Sequence, residues 1–180
     1  VYFESQADPR VGCQVYQLLR SRHQSEVIFL TYTSGAISAA PHANRDKVAM
    51  LNATQGEVTK LGPLFTSILP AYSVQGELLV KEAMRRGVKT IALLYENSEA
   101  FVVLAKAIES DICPRLGCKV VASEQIPAGS TDVAAQVTAA LASKPDGVFP
   151  IGIATQLVPV VGELHTRGYK GKILGIPAMG

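Results

Sequence analysis

The stretch Thr31-Tyr32-Thr33-Ser34-Gly35 follows a short apolar run, Val27–Leu30, and leads into a helical stretch, Ala36–Ala43. A second hydroxyl, Thr54 in Asn52-Ala53-Thr54, follows the apolar run Val48–Leu51 in the same way. Hydroxyls beside the unsatisfied N–H groups of a helix N-terminus can hold a carboxylate or another anion. The same side chains also serve as helix caps and turn formers, so each stretch taken alone leaves both readings open. Two such turns on successive strand–helix units strengthen each other.

Other chemistry is thinly represented. No Gly-x-Gly-x-x-Gly follows a strand and no Gly-x-x-x-x-Gly-Lys-Ser/Thr occurs, so dinucleotide and P-loop readings lack their fingerprint. Gly-x-Ser-x-Gly and His-Glu-x-x-His are also missing. His23, His42 and His165 fall on predicted helices without metal-ligand spacing, and read as surface histidines. Glu96, just after a strand, has the placement of a general base but no visible partner. Lys81, Arg85, Arg86 and Lys89 look like a phosphate patch, yet Glu77–Lys81 and Glu82–Arg86 stand at i, i+4. A solvated helix face explains that cluster. No catalytic residue, metal ligand or cofactor is therefore assigned.

Ligand-holding turns need strands and helices behind them. With 48% hydrophobic and 18% charged residues in 180, the chain can bury one large core or two small ones. A net charge of +2 and 6% aromatics give no nucleic-acid-binding field. No apolar run approaches the roughly 20 residues of a membrane span. Three cysteines form neither a disulfide scaffold nor a zinc site. Cys113 and Cys118 could close a small disulfide in an oxidising compartment, or remain two free thiols near a helix end.

Apolar runs of strand length recur at 27–30, 48–51, 91–95, 120–122, 147–151 and 173–174. Their continuity suits strands buried on both faces of a parallel sheet. Between them lie helices with readable ends. Asp8-Pro9 opens one, Gly87 stops another over 72–86, Ser130-Thr131-Asp132 opens a third, and Thr155 is the expected cap of a fourth ending at Arg167-Gly168. Strand–helix–strand repetition implies right-handed crossovers and an α/β fold. Residues 52–70 interrupt it with turns and an isolated strand, Leu64–Leu69, before Pro70. That interruption divides the chain into a first lobe, 1–70, and a second, 71–180.

The order of these pieces resembles the leucine/isoleucine/valine-binding family, the type I periplasmic binding proteins that serve ABC transporters. Asp8-Pro9 with Cys13–Leu19 is similar to the family's Asp-Pro helix after its second strand, here Val1–Glu4. Thr33-Ser34 through Pro41 to Lys47-Val48 resembles its Ser-Ser loop, Ala/Pro-rich helix and next strand, and Ala53-Thr54 its Ala-Thr turn. Gln75-Gly76, Ile91–Glu96, Gly129-Ser-Thr-Asp132, Pro145-Asp146 and Gly168-Tyr169-x-Gly171 extend the likeness over essentially the whole chain.

The resemblance implies two flavodoxin-like lobes with parallel sheets, of which this chain covers a part of each. A strand and helix would precede Val1, and more chain would follow Gly180. It implies a small-molecule solute held between the lobes, a membrane permease as partner, and a periplasmic or cell-surface location. Tyr32, Thr33, Ser34, Ala53 and Thr54 would meet a ligand carboxylate; Phe101, Ile153, Ala154 and Pro177 would line the second side. Several positions depart from the family: Phe29 and Phe101 where glycines are common, Ile153-Ala154 in place of an aromatic, and Pro177 in place of the acid that pairs an amino acid's ammonium. They imply a carboxylate-bearing or amide-like solute with an uncharged body. A sensory or receptor domain of the same fold is the alternative, and a doubly wound enzyme is a third reading.

Overall fold

A computed structural model describes Phe3, residues 8–54 and residues 57–175. The chain divides into two compact units, Val1–Tyr72 and Ser73–Gly180. The expected strand Val1–Glu4 and the site position Pro177 lie outside the described residues, Phe3 excepted.

In the first unit, helix α1 (Pro9–His23) is opened by Asp8, whose Oδ1 accepts the N–H groups of Arg10 at 2.7 Å and Val11 at 3.4 Å. Pro9 sits where a helix has no use for an N–H. Strand β1 (Val27–Leu30), helix α2 (Thr33–Asp46), strand β2 (Ala49–Asn52), a 3₁₀ turn (Val58–Leu61) and strand β3 (Phe65–Ser67) follow. The strands form a parallel sheet in the order β1-β2-β3. The alanines of α2 (Ala36, Ala39, Ala40 and Ala43) pack with Tyr16, Ile28, Met50 and Phe65. Small residues set how closely α1 approaches α2: a Cβ on Gly12 would stand 2.9 Å from the Cα of Gly35.

Two expectations are corrected here. The segment around Leu64–Leu69 is not an isolated strand, because Phe65–Ser67 pairs in parallel with Met50–Asn52 and completes the first sheet. Helix α2 begins at Thr33, three residues before the Ala36 the pattern indicated, so Thr33 and Ser34 belong to its first turn rather than to a loop.

The second unit runs α3 (Tyr72–Arg85), β4 (Thr90–Glu96), α4 (Glu99–Ala107), a π-helical turn (Ile108–Ile112), α5 (Cys113–Leu116), β5 (Lys119–Ile126), α6 (Ala134–Ala142), β6 (Gly147–Ile151), α7 (Ala154–Thr166) and β7 (Lys172–Ile173). Its sheet is parallel throughout, in the order β5-β4-β6-β7. Residues 91–94 and 147–151 of the two central strands are all buried, as continuous apolar runs require. Strand β5 extends past its apolar run to Ile126 because it is an edge strand, where Ser123, Glu124 and Gln125 can face water. The wide turn at 108–112 precedes Pro114, whose ring and missing N–H do not fit an uninterrupted α-helix.

The charged cluster on α3 is a solvated face. Lys81 pairs with Glu77 at 2.6 Å and Arg86 with Glu82 at 2.6 Å, while Arg115 reaches Glu77 at 2.7 Å. Arg115, then Lys81, holds the Glu77 carboxyl down to about 2.

Asp146 ties the start of β6 to the start of β4. It accepts the N–H groups of Lys89 and Thr90 and the Thr90 hydroxyl, each at 2.9 Å, and these donors hold its carboxyl below the usual range. A lowered native pKa stabilises the fold above the unfolded carboxylate value and loses that contribution as pH falls through the native one. Asp146→Asn is therefore expected to flatten the acid limb of a stability–pH curve; an unchanged limb would remove Asp146 from the account.

Cys113 and Cys118 form a disulfide, which decides between the two readings of that pair. Closing so short a loop restrains the unfolded chain by about 2 kcal/mol in the chain-entropy treatment. Reduction is expected to lower the urea midpoint correspondingly. Identical midpoints with and without reductant would mean that the thiols do not pair.

Candidate functional site

Every strand in each unit is parallel to its neighbours, so all strand-to-helix turns of one sheet emerge at one edge. In the first unit that edge carries the hydroxyl turns. The Ala53 N–H donates to the Leu30 carbonyl at 2.8 Å, fastening the end of β2 to the end of β1. The structure thereby brings Tyr32, Thr33, Ser34, Ala53 and Thr54 to the same end of adjacent strands.

Tyr32, not Thr33 or Ser34, is the N-cap residue of α2, and its side chain makes no capping bond. Its carbonyl accepts the Ala36 N–H at 3.2 Å and starts the helix ladder. The end of a fourteen-residue helix, with its partial positive charge, thus opens at the strand edge without a cap from its N-cap side chain. Thr54 is 4% exposed, and its Oγ1 has no partner among the described residues. Asn52 is buried beside it, donating from Nδ2 to the carbonyls of Met50 at 3.0 Å and Thr66 at 3.2 Å, while its Oδ1 is unpartnered. Buried polar atoms without partners are costly, so two of them at one strand edge make that edge the candidate site of the first unit.

In the second unit the chain passes from β4 to β5 on one side and then crosses to β6 on the other. The crevice for a ligand in such sheets opens where that reversal occurs, here between the ends of β4 and β6. Phe101 stands in the first turn of α4 and Ile153 and Ala154 at the start of α7, so all three follow these two strands. Their exposures differ. Ile153 is 52% exposed, whereas Phe101 is 5% exposed and belongs to the core. Ile153 also takes the cap position expected of Thr155, which lies inside the first turn.

The second unit's edge holds a buried polar pair that spacing alone could not reveal. Glu96 closes β4, accepts the Ile153 N–H, and has its carboxyl pushed above the usual range by burial, the N–H acting in the opposite sense. Its neighbour is Gln156, from the first turn of α7. The acid was visible in the sequence; its partner is distant and carries no motif. Among the described residues no group of three or more His, Cys, Asp or Glu is placed to hold a metal ion.

The sequence profile of the periplasmic binding protein family matches residues 1–180. The chain belongs to that family. Within it, the chain is of the type I, leucine/isoleucine/valine-binding-protein-like kind. No curated protein matches it.

Solved family structures share the fold. A solute binding protein of an ABC transporter from R. palustris, in complex with 4-hydroxybenzoate, superposes with a TM-score of 0.85 at 19% identity, over 96% of this chain and 49% of that one. A periplasmic binding protein from Burkholderia mallei gives 0.87 at 17% identity, over 96% and 48%. A leucine binding protein from Thermotoga maritima gives 0.85 at 17% identity, over 94% and 49%. The chain therefore spans about half the length of the solved proteins it matches.

The unpartnered Thr54 hydroxyl generates a test that needs no solute. Leaving such a group buried costs about 1–3 kcal/mol, so Thr54→Val, which keeps the shape, is expected to hold or raise the unfolding free energy. A loss of that size in chemical denaturation would show that the hydroxyl has a partner in the folded chain.

Proposed function

We propose that this chain is part of an extracytoplasmic solute-binding protein of an ABC transporter, which binds a small carboxylate-bearing or amide-like solute and performs no chemistry. The observation that carries the reading is the first unit's rim: a helix N-terminus whose N-cap side chain makes no capping bond, at the same sheet edge as a buried threonine hydroxyl with no partner among the described residues. Both favour an anionic or hydrogen-bond-accepting group. In this reading Thr33, Ser34 and Thr54 supply hydroxyl donors and Tyr32 and Ala53 shape the turns that carry them, the Ala53 N–H being given to the Leu30 carbonyl. The Asn52 amide oxygen, which only accepts, suits a donor on the solute and not its carboxylate.

The second unit's contribution is apolar. Ile153 and Ala154 expose hydrocarbon at the strand ends, Phe101 is buried in the first turn of α4, and the Pro177 side chain offers no acceptor for an ammonium. A solute with one polar end and an uncharged body suits this set better than a zwitterion, because a cation removed from water needs opposite charge or several acceptors. That the R. palustris protein was solved with 4-hydroxybenzoate supports an organic acid. The partner implied is a membrane permease. A periplasmic or cell-surface location accords with the Cys113–Cys118 disulfide, since such bonds persist in oxidising compartments. Among the described residues no helix is long and apolar enough to cross a membrane.

A thermal-shift panel on the full-length protein tests the reading. Aromatic or aliphatic acids such as 4-hydroxybenzoate are expected to raise the melting temperature, and leucine and valine to leave it unmoved. Calorimetry on Thr54→Val should then show affinity for the stabilising acid reduced at least about tenfold, since a hydrogen bond to a charged group contributes about 1.5–3 kcal/mol. Stabilisation by leucine or valine alone would overturn the assignment of the solute.

A further inference from the structure

Three segments distant in the chain meet at one carboxylate in the second unit. Glu96 is 8% exposed and accepts the backbone N–H of Ile153. Gln156, 2% exposed, places its side-chain amide between Glu96 Oε2 and the Gly129 N–H; assigned to the orientation that satisfies both, the amide donates to Glu96 and accepts from Gly129. The contacts join the end of β4, the turn between β6 and α7, and the turn between β5 and α6.

From this geometry we infer that Glu96 is a positioning residue: it holds the 152–154 turn directly through Ile153, and the 127–130 turn indirectly through Gln156. The inference rests on the solute-binding reading only in taking these turns as part of the rim a solute meets. The contacts themselves stand apart from that reading.

The chemistry of the groups makes the arrangement directional. An ionised carboxylate only accepts, so Gln156 must turn its NH₂ toward Glu96, and its oxygen is then left for Gly129. Protonation converts one Glu96 oxygen into a donor. The amide then turns over, presenting its oxygen to Glu96 and its NH₂ to the Pro127 carbonyl, 3.4 Å from the amide nitrogen in that orientation. Gly129 loses its acceptor. A proton taken up at the end of β4 is thus felt at the Gly129 turn.

Few charges compete for this role. Strand β6 and helix α6 carry no titratable side chain. The neighbouring elements contribute Tyr95 on β4, Lys119 and Glu124 on β5, Asp132 on the turn from β5 to α6, where its Oδ1 accepts the Ala134 N–H, Glu99 and Lys106 on α4, and Glu163 and His165 on α7. Among the described residues none of these makes an ion pair with Glu96, and Glu163 is engaged by Arg167 at 2.7 Å. Burial sets the Glu96 carboxyl above the usual range.

Amide NMR spectra of the full chain, recorded as pH is lowered from neutrality, test the inference. The Ile153 and Gly129 resonances are expected to titrate together, with one midpoint above the ordinary glutamate value of about 4.3. In Glu96→Gln neither should titrate over that range, while the core amides of Leu93 and Phe149 keep their wild-type positions. Gln156→Met removes the amide at similar bulk, so Ile153 should still titrate while Gly129 does not. Separate midpoints in the wild type, or a Gly129 titration that survives in Gln156→Met, would overturn the proposal. The shared titration in a protein that binds no organic acid would keep the network and remove the solute reading. The reverse result would do the opposite.

Discussion

Parallel pairing is the constraint on which the rest of this protein depends. Each strand must run in the same direction as its neighbour, so each connection returns over a sheet face, and each strand-to-helix turn opens at the same edge. In the first unit this places Tyr32 and Thr54 at the same end of adjacent strands although α2 and β2 separate them in sequence. In the second it places Glu96 beside Ile153, because β4 and β6 are neighbours while β5 lies on the far side. The helices contribute their N-terminal dipoles to the same edge. A site here is a consequence of topology before it is a matter of particular side chains.

The two units use that edge differently. The first leaves polar capacity unspent: the Tyr32 side chain does not cap α2, and Thr54 Oγ1 and Asn52 Oδ1 have no partners among the described residues. The second spends its capacity on itself. Glu96, Gln156 and the N–H groups of Ile153 and Gly129 satisfy one another, and Asn97 accepts a side-chain N–H from Gln125 at 2.9 Å. An open set of donors and acceptors invites a polar group; a closed one fixes the shape of an apolar lip. This difference distinguishes the two rims more sharply than their hydrophobicity does.

Much of this was legible in the residues. The apolar runs located the strands, although only the central pair of the second unit is covered on both faces as that reading required, while Val27 and Phe29 of β1 are exposed. The disulfide was foreseen as one of two outcomes for Cys113 and Cys118. What stayed hidden depended on pairing. β3 has only three residues in the ladder and gains its place from β2, not from its own pattern. The start of α2 was read too late because Thr33 and Ser34 favour caps and turns, and a helix backed by the alanine-rich contact with the core overrode that preference. Gln156 could not be matched to Glu96 at all, since a buried polar pair between loops has no period and no fixed spacing.

The closed network also bears on the kind of solute that the proposed function would bring to the second unit. An ammonium removed from water requires an acid that is both buried and available. Glu96 is buried, but its carboxylate is already engaged by Ile153 and Gln156, and recruiting it would release the turn that presents Ile153. Glu99 is available but exposed, where an ion pair adds little. Its place in the first turn of α4 is already favoured by the helix dipole. Burial and availability are thus divided between two acids, and neither combines them. Within the proposed solute-binding reading, this favours an uncharged solute body on grounds independent of Pro177, and it does so from the same hydrogen bonds that hold the rim in shape.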